Sequence, residues 1–375
     1  MIIAPLPVEA PIGVYIHVPF CAHICPYCDF TTYAGNLERS ASLASGRSTA
    51  TIFLGGGTPS LLEPAQVAAI ITACRDHLDV ESSVEITMEC NPNSLSEARL
   101  AGYRAAGVNR LSIGAQTMDR RGLRTLGRQH ESSDVRTAVR DARRAGFDNL
   151  SLDLIFGWPN QSLEQWQRDL DEVLAMAETP EHLSLYSLIV EPGTPFADAA
   201  ARGILHMPDD DATADMYELA INTLGTAGWH HYEVANWARE PGGHSRHNAI
   251  YWQHGDYLGI GAGAHGTVGS QRTMNHLLPE RYCDTLEAGG EAASNTEHID
   301  EVTSRAETMM LGLRLLEHGV DASAFSARHG IQLDDAFGAR IDDLIAIGLM
   351  ERLATGVRLS HRGLMLANDV VARFL

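Results

Sequence analysis

Six apolar, β-branched runs, "GVYIHV", "TATIFL", "VEITME", "RLSIGA", "NLSLDLIF" and "HLSLYSLIV", recur along the first half of the chain, most of them followed by a segment of helical period. This alternation constrains the fold most, because strand, crossover helix and further strand is the repeating unit of a parallel sheet. The helices are legible at their starts. "PAQVAAIITACRDHL" opens on Pro64, and "SLEQWQRDLDEVLAMA" carries a capping box from Ser162 to Gln165. The expected fold class is α/β, an incomplete (βα)6 barrel of the TIM type. Six strands rather than eight leave it open on one side, with a mouth able to admit a large substrate.

In such a barrel the reactive groups collect where strands end, since the loops there surround one mouth. The polar residues follow that rule repeatedly. Cys21, Cys25 and Cys28 follow the first run, Gly55, Gly56, Gly57 and Thr58 the second, while Glu89, Gln116 and Asp153 close the next three and Glu191 the sixth. A polar residue ending one strand is ordinarily just solvated; the joint placement is what points to a site.

The region after residue 228 is rich in aromatics and histidine, and from Val302 the helical period returns to the end of the chain. The expected organisation is a partial barrel over 1–228, a linking region over 229–299, and a small helical, winged-helix-like domain with a short ribbon over 300–375. The connection from the cysteines to "TATIFL" is short for a crossover. A formal charge of -20 argues against a nucleic-acid partner, and acids outnumber bases within the tail too. No apolar run reaches the roughly 18 residues of a membrane span, and the N-terminus lacks a basic stretch before an apolar one, so a cytoplasmic protein is expected.

Six cysteines are too few for a disulfide scaffold. Cys74, Cys90 and Cys283 are scattered and read as small buried or incidental residues. The other three, in "CAHICPYC", have a C-x₃-C-x₂-C spacing. A structural zinc site would borrow His17 or His23 as a fourth ligand. A disulfide would leave one thiol over. A [4Fe–4S] cluster on three thiolates keeps one iron open for chemistry.

That spacing after a first strand, with Tyr27 before the last cysteine, resembles the radical SAM signature. "YIHVPFC", "FLGGGTPSLL", "EITMECNPNS", "GVNRLSIGAQTMD", "LGRQH", "LDLIFGWPNQ" and "DYLGIGAGAHG" extend the resemblance to the coproporphyrinogen oxidase-like subgroup over nearly the whole chain. It implies a [4Fe–4S] cluster on Cys21, Cys25 and Cys28 and S-adenosylmethionine on the open iron. Tyr15, Tyr27, Gly56, Gly57, Thr58, Glu89, Gln116, Arg128 and Asp153 would lie at that cofactor. Asp29 and Phe30 stand where the oxygen-independent oxidase carries a further cysteine, and "HNAIYW" is similar to the H-N-x-x-Y-W motif of the HemW haem chaperones.

The resemblance implies haem binding and delivery to acceptor proteins, with His247 as haem ligand and other ligands left open. An electron donor is a further implied partner. Transient membrane association and the choice between monomer and dimer stay open. The alternative is a radical enzyme acting on a porphyrinogen, by decarboxylation or methyl transfer. A third class, a nucleic-acid or protein-interaction module built on the tail, is disfavoured by its charge.

Overall fold

The computed structural model describes residues 10–19 and 46–375 of the protein. Cys21, Cys25, Tyr27, Cys28, Asp29 and Phe30, with most of the short connection that follows, lie outside the described residues.

Strands β1 (Ile12–Val18), β2 (Ser48–Gly56), β3 (Asp79–Cys90), β4 (Arg110–Gln116), β5 (Leu150–Phe156) and β6 (His182–Ser187) pair in chain order, all parallel. The six runs are the six strands. The last stops at Ser187, short of the apolar end of its run, and the chain turns away with Leu188 N–H still bonded to Phe156 O. Helices Pro64–His77, Glu97–Ala106, Ser132–Arg144 and Leu163–Leu174 occupy the crossovers. The capping box of Ser162 with Gln165 is formed as the sequence led us to expect.

The two faces of each strand differ sharply. Ile12, Val14, Ile16 and Val18 on β1, Ile52 and Leu54 on β2, Ile86 and Met88 on β3, and Leu111 and Ile113 on β4 join one apolar core with the surrounding helices. Each such side chain contributes on the order of 1.5–3 kcal/mol on burial, so this outer layer stabilises the barrel. The alternate positions face inward and are mostly polar: Tyr15, Thr87, Glu89, Ser112, Asp153 and Ser184 line a chamber of about 330 Å³. In closed eight-stranded barrels branched aliphatic side chains fill this space. Here the inner face is kept for function.

The segment after residue 228 extends this sheet at both ends. Strands β7 (His230–Glu233) and β8 (Asn236–Ala238) add antiparallel beyond β6. Strand β9 (Tyr257–Ile260) adds parallel to β1, and β10 (His265–Val268), β11 (Gln271–Asn275) and β12 (Ala293–His298) follow it as an antiparallel meander. Between the two additions runs the helix Arg246–Trp252. It packs on the layer in which Gly13, Thr51 and Glu85 pair across β1, β2 and β3, near the strands' N-terminal ends, and so floors the chamber.

The C-terminal unit has its own core, built on Met309, Leu313, Val320, Phe325, Phe337 and Ile341. Helices Ala322–His329 and Leu333–Ala346 meet at Gly330, whose φ of +66° ends the first of them. A three-stranded sheet, β13 (Val320–Asp321), β14 (Met350–Arg352) and β15 (Gly356–Leu359), completes the winged-helix-like arrangement. Among the described residues no helix is long and apolar enough to cross a membrane.

Candidate functional site in the barrel chamber

Gly56 and Glu89 stand at the C-terminal ends of β2 and β3, while Tyr15 and Asp153 face the same chamber from the middle of β1 and β5, so Asp153 does not close its strand as expected. Gly56 has φ +105°, and a Cβ there would come within 2.6 Å of the His17 ring. A Cβ on Gly55 would lie 3.1 Å from Glu89 Oε2 and from the Tyr15 ring. The glycines therefore let the β2 backbone close on its neighbours, with Gly56 N–H donating to Glu89 Oε2 at 3.0 Å and Gly57 N–H to Val18 O at 2.8 Å. Thr58 follows as the residue that opens a short 3-10 turn, Pro59–Leu61. The Tyr15 hydroxyl is 3.0 Å from His17 Nδ1, and burial and the Glu89 charge raise its pKa.

Glu89 and Asp153 share the chamber. Burial, and next the charge of Asp153, push Glu89 up to about 8, against the opposing pull of the Gly56 amide. Burial raises Asp153 too, although hydroxyls surround it: Ser112 Oγ lies 2.9 Å from both carboxylate oxygens and Ser151 Oγ donates at 3.2 Å. Two desolvated carboxyls are ready for a cationic or hydroxyl-rich ligand, since either would compensate the burial.

Gln116 has φ +64°, one of three non-glycine residues with a positive φ in the described chain. Such a backbone costs about 1–3 kcal/mol and persists only where its surroundings dictate it. They do so here. Asp169, 1% exposed on the helix Leu163–Leu174, accepts from Thr117 Oγ1 at 2.5 Å and from Met118 N–H at 2.8 Å, pinning the chain just after Gln116. A Cβ on Gly114 would lie 2.5 Å from Gln116 Nε2. Arg128 reaches the same place, with Nη2 3.4 Å from Gly114 O. His130 Nε2 lies 3.0 Å from Ala115 O, and burial depresses its pKa to about 4, so the ring is neutral and donates that proton.

Sequence reasoning missed the groups that hold Asp153. The chain of bonds has one consistent direction: the Tyr232 hydroxyl donates to His182 Nε2 at 2.8 Å, His182 Nδ1–H to Ser151 Oγ at 2.8 Å, and Ser151 to Asp153. Burial drives the His182 pKa well below its ordinary value, which keeps the ring neutral as this relay requires. Ser245 N–H donates to Tyr232 Oη at 3.1 Å, joining the relay to the start of the floor helix. The period-2 alternation of polar residues, Ser151 with Asp153 and His182 with Ser184, was the signal that could have found them.

His247 stands apart from the mouth. It is 1% exposed, its Nδ1 lies 2.7 Å from Thr51 Oγ1 and its Nε2 2.8 Å from Tyr251 Oη, and its ring stacks on Phe53 at 5.0 Å. Its amide donates to Glu85 Oε1. Burial lowers its pKa to about 3. The ring is neutral, as a haem ligand requires, yet both nitrogens are engaged within the floor.

The Radical SAM superfamily model matches residues 15–173, and the HemN C-terminal domain model residues 303–366. Among solved structures, Escherichia coli coproporphyrinogen III oxidase (HemN), a radical SAM enzyme, aligns with a TM-score of 0.79 and 21% identity over 97% of this chain and 90% of its own. At that identity the likeness shows the fold: a radical SAM barrel carrying a HemN-type C-terminal domain. The haem chaperone HemW of Bacillus subtilis is 38% identical over 376 residues, 96% of this chain and 98% of the relative, and that of Lactococcus lactis 35% identical over 377 residues, 98% of each. With relatives matched from end to end at this identity, the chain belongs to the HemW family.

Proposed function

We propose that the protein is a cytoplasmic haem chaperone, which binds haem and passes it to acceptor proteins while a [4Fe–4S] cluster and S-adenosylmethionine occupy the barrel mouth. The observation that carries this reading is the end-to-end similarity to proteins named haem chaperones. Asp29 and Phe30, in place of a further cysteine, weigh against a coproporphyrinogen oxidase.

Cys21, Cys25 and Cys28 would hold the cluster, which leaves one iron for the amino and carboxylate groups of S-adenosylmethionine. When bound, the pair supplies reductive cleavage of the sulfonium. The chain's own residues fit that cofactor. Gly56, where a Cβ would clash with the His17 ring, and Gly57 beside it leave the backbone bare for the cofactor to approach. Glu89 and Asp153 would accept from its ammonium or ribose hydroxyls, and a cation beside Glu89 would oppose the burial that raises that carboxyl. Gln116 and Arg128, which converge beside Gly114, would donate to it.

The test is hemin titration of the anaerobically reconstituted protein, followed by transfer to an apo-haem protein. Saturable binding and transfer faster than free hemin exchange are expected. Turnover of coproporphyrinogen with S-adenosylmethionine and a reductant, without hemin binding, would replace this reading by the enzymatic one.

A further inference from the structure

Past the C-terminal end of the floor helix a second cleft, of about 430 Å³, separates the barrel from the C-terminal unit. Its volume is in the range of about 300–1,000 Å³ typical of cofactor sites. Exposed Ala327 and Arg328 stand on its rim, so it reaches the surface. Its walls are largely apolar: Trp252 from the floor helix, Ile299, Leu315, Val320 and Phe325.

The polar groups of this cleft are sorted by whether they are already used. The acids are occupied. Asp256 pairs with Arg47 at 2.5 Å, Asp321 accepts the Ala324 amide at 2.8 Å, and Glu301 accepts from Arg305 at 2.8 Å. The Arg328 guanidinium, by contrast, has no hydrogen bond or ion pair among the described residues. The His318 ring makes no hydrogen bond among them either. Its Nε2 is buried without a hydrogen-bond partner, 3.5 Å from Glu317 Oε2, and the ring is part of the cleft wall.

A flat apolar molecule with a metal centre and anionic arms matches this set. We propose that haem binds in this cleft, with His318 as an iron ligand and Arg328 opposite a propionate. The assignment rests on the haem-chaperone reading and deepens it. Trp252, the last residue of the H-N-x-x-Y-W sequence, then contributes a wall to the haem site, while His247 of the same sequence stays in the floor of the chamber.

The test is a titration of the full chain with hemin, and separately with iron-free protoporphyrin, followed at the Soret band. Three substitutions are compared, each at a half-exposed or exposed position: His318→Ala, Arg328→Glu and Ala327→Trp. His318→Ala is expected to weaken hemin by about tenfold or more and to shift its Soret maximum, while protoporphyrin affinity stays unchanged. Arg328→Glu is expected to weaken both ligands severalfold without a shift, and Ala327→Trp to weaken both strongly. Wild-type hemin affinity and an unmoved Soret band in folded His318→Ala and Ala327→Trp would overturn the cleft while leaving the haem reading in place. Absence of saturable hemin binding by the unsubstituted chain would overturn both.

Discussion

The chamber and the cleft lie on either side of one short helix and are built on opposite rules. In the chamber, polar side chains are buried and bonded to one another, two desolvated carboxyls face a glycine-lined strand end, and a relay runs from Tyr232 to Asp153. In the cleft the walls are largely apolar, and His318 and Arg328 stand among them without a hydrogen bond among the described residues. A charged, hydroxyl-rich ligand suits the first and a flat, apolar, anionic one the second. The difference teaches that a single short helix can separate two cavities of opposite character.

The largest expected effect strikes the chamber alone. Gly56→Val forces a branched side chain into the His17 ring at a backbone of φ +105°. S-adenosylmethionine affinity, measured by calorimetry on the cluster-loaded protein, is expected to fall on the order of 100-fold, about 3 kcal/mol. Hemin affinity should stay within a factor of about two, because no part of the cleft moves. A parallel loss of both would show that the two sites are one.

His247→Ala comes next and separates floor from ligand. It removes a stacked ring and leaves Thr51 and Tyr251 each without a partner, so denaturant unfolding is expected to lose about 2–4 kcal/mol. Hemin affinity of the folded fraction is expected to be unchanged. A lost Soret band with unaltered stability would return the iron to His247 and close the comparison in favour of the chamber.

These residues also show how far the sequence could be read. The six strands were legible because each is an apolar run, most of them with a helix behind it, and Glu89 and Gln116 because they stand at strand ends, whereas Asp153 sits in the middle of β5. The relay was not, since Ser151 and His182 read as ordinary strand residues until their shared inward face is seen. Asp169 was hidden for a similar reason: a carboxylate within a helix looks solvated, and only packing shows it turned onto the residues behind Gln116. The setting of His247 was also beyond the sequence. A histidine motif does not say which face of its helix looks inward.

Tyr232→Phe is a smaller perturbation of the chamber. It takes the donor from His182 Nε2 and the acceptor from Ser245 N–H, leaving two buried groups unpaired. A stability loss of about 1–3 kcal/mol is expected in thermal or urea unfolding. S-adenosylmethionine should bind several-fold more weakly through the loosened Asp153, and hemin as before. Normal S-adenosylmethionine affinity would mean that the relay supports the fold without tuning the site.

The mildest expected effect is in the dependence of stability on pH. Burial holds His130, His231, His244 and His329 down to about 4 and His247 and His254 to about 3. A histidine depressed in the folded state contributes stability above its unfolded value of 6.5, and that stability is lost as pH falls below it. Glu89, raised to about 8, and Asp169 and Glu233, raised to about 7, act in the opposite sense. Their contribution is complete below the ordinary carboxylate range and disappears as pH rises through 7 to 8. Six such histidines outnumber the three carboxyls, so below 6.5 the unfolded chain binds the more protons and stability rises with pH; above 6.5 only the carboxyls titrate and stability falls. The melting temperature should therefore peak near pH 6.5, as scanning calorimetry would show. Glu89→Gln with Asp169→Asn should flatten the alkaline limb and steepen the acid one, because a raised carboxyl loses its contribution over the whole interval between its unfolded and folded values. His329→Gln, whose ring bonds Thr308 at the edge of the cleft, should soften only the acid limb. If His329→Gln moved the alkaline limb as well, the two regions would be coupled through the floor helix rather than insulated by it.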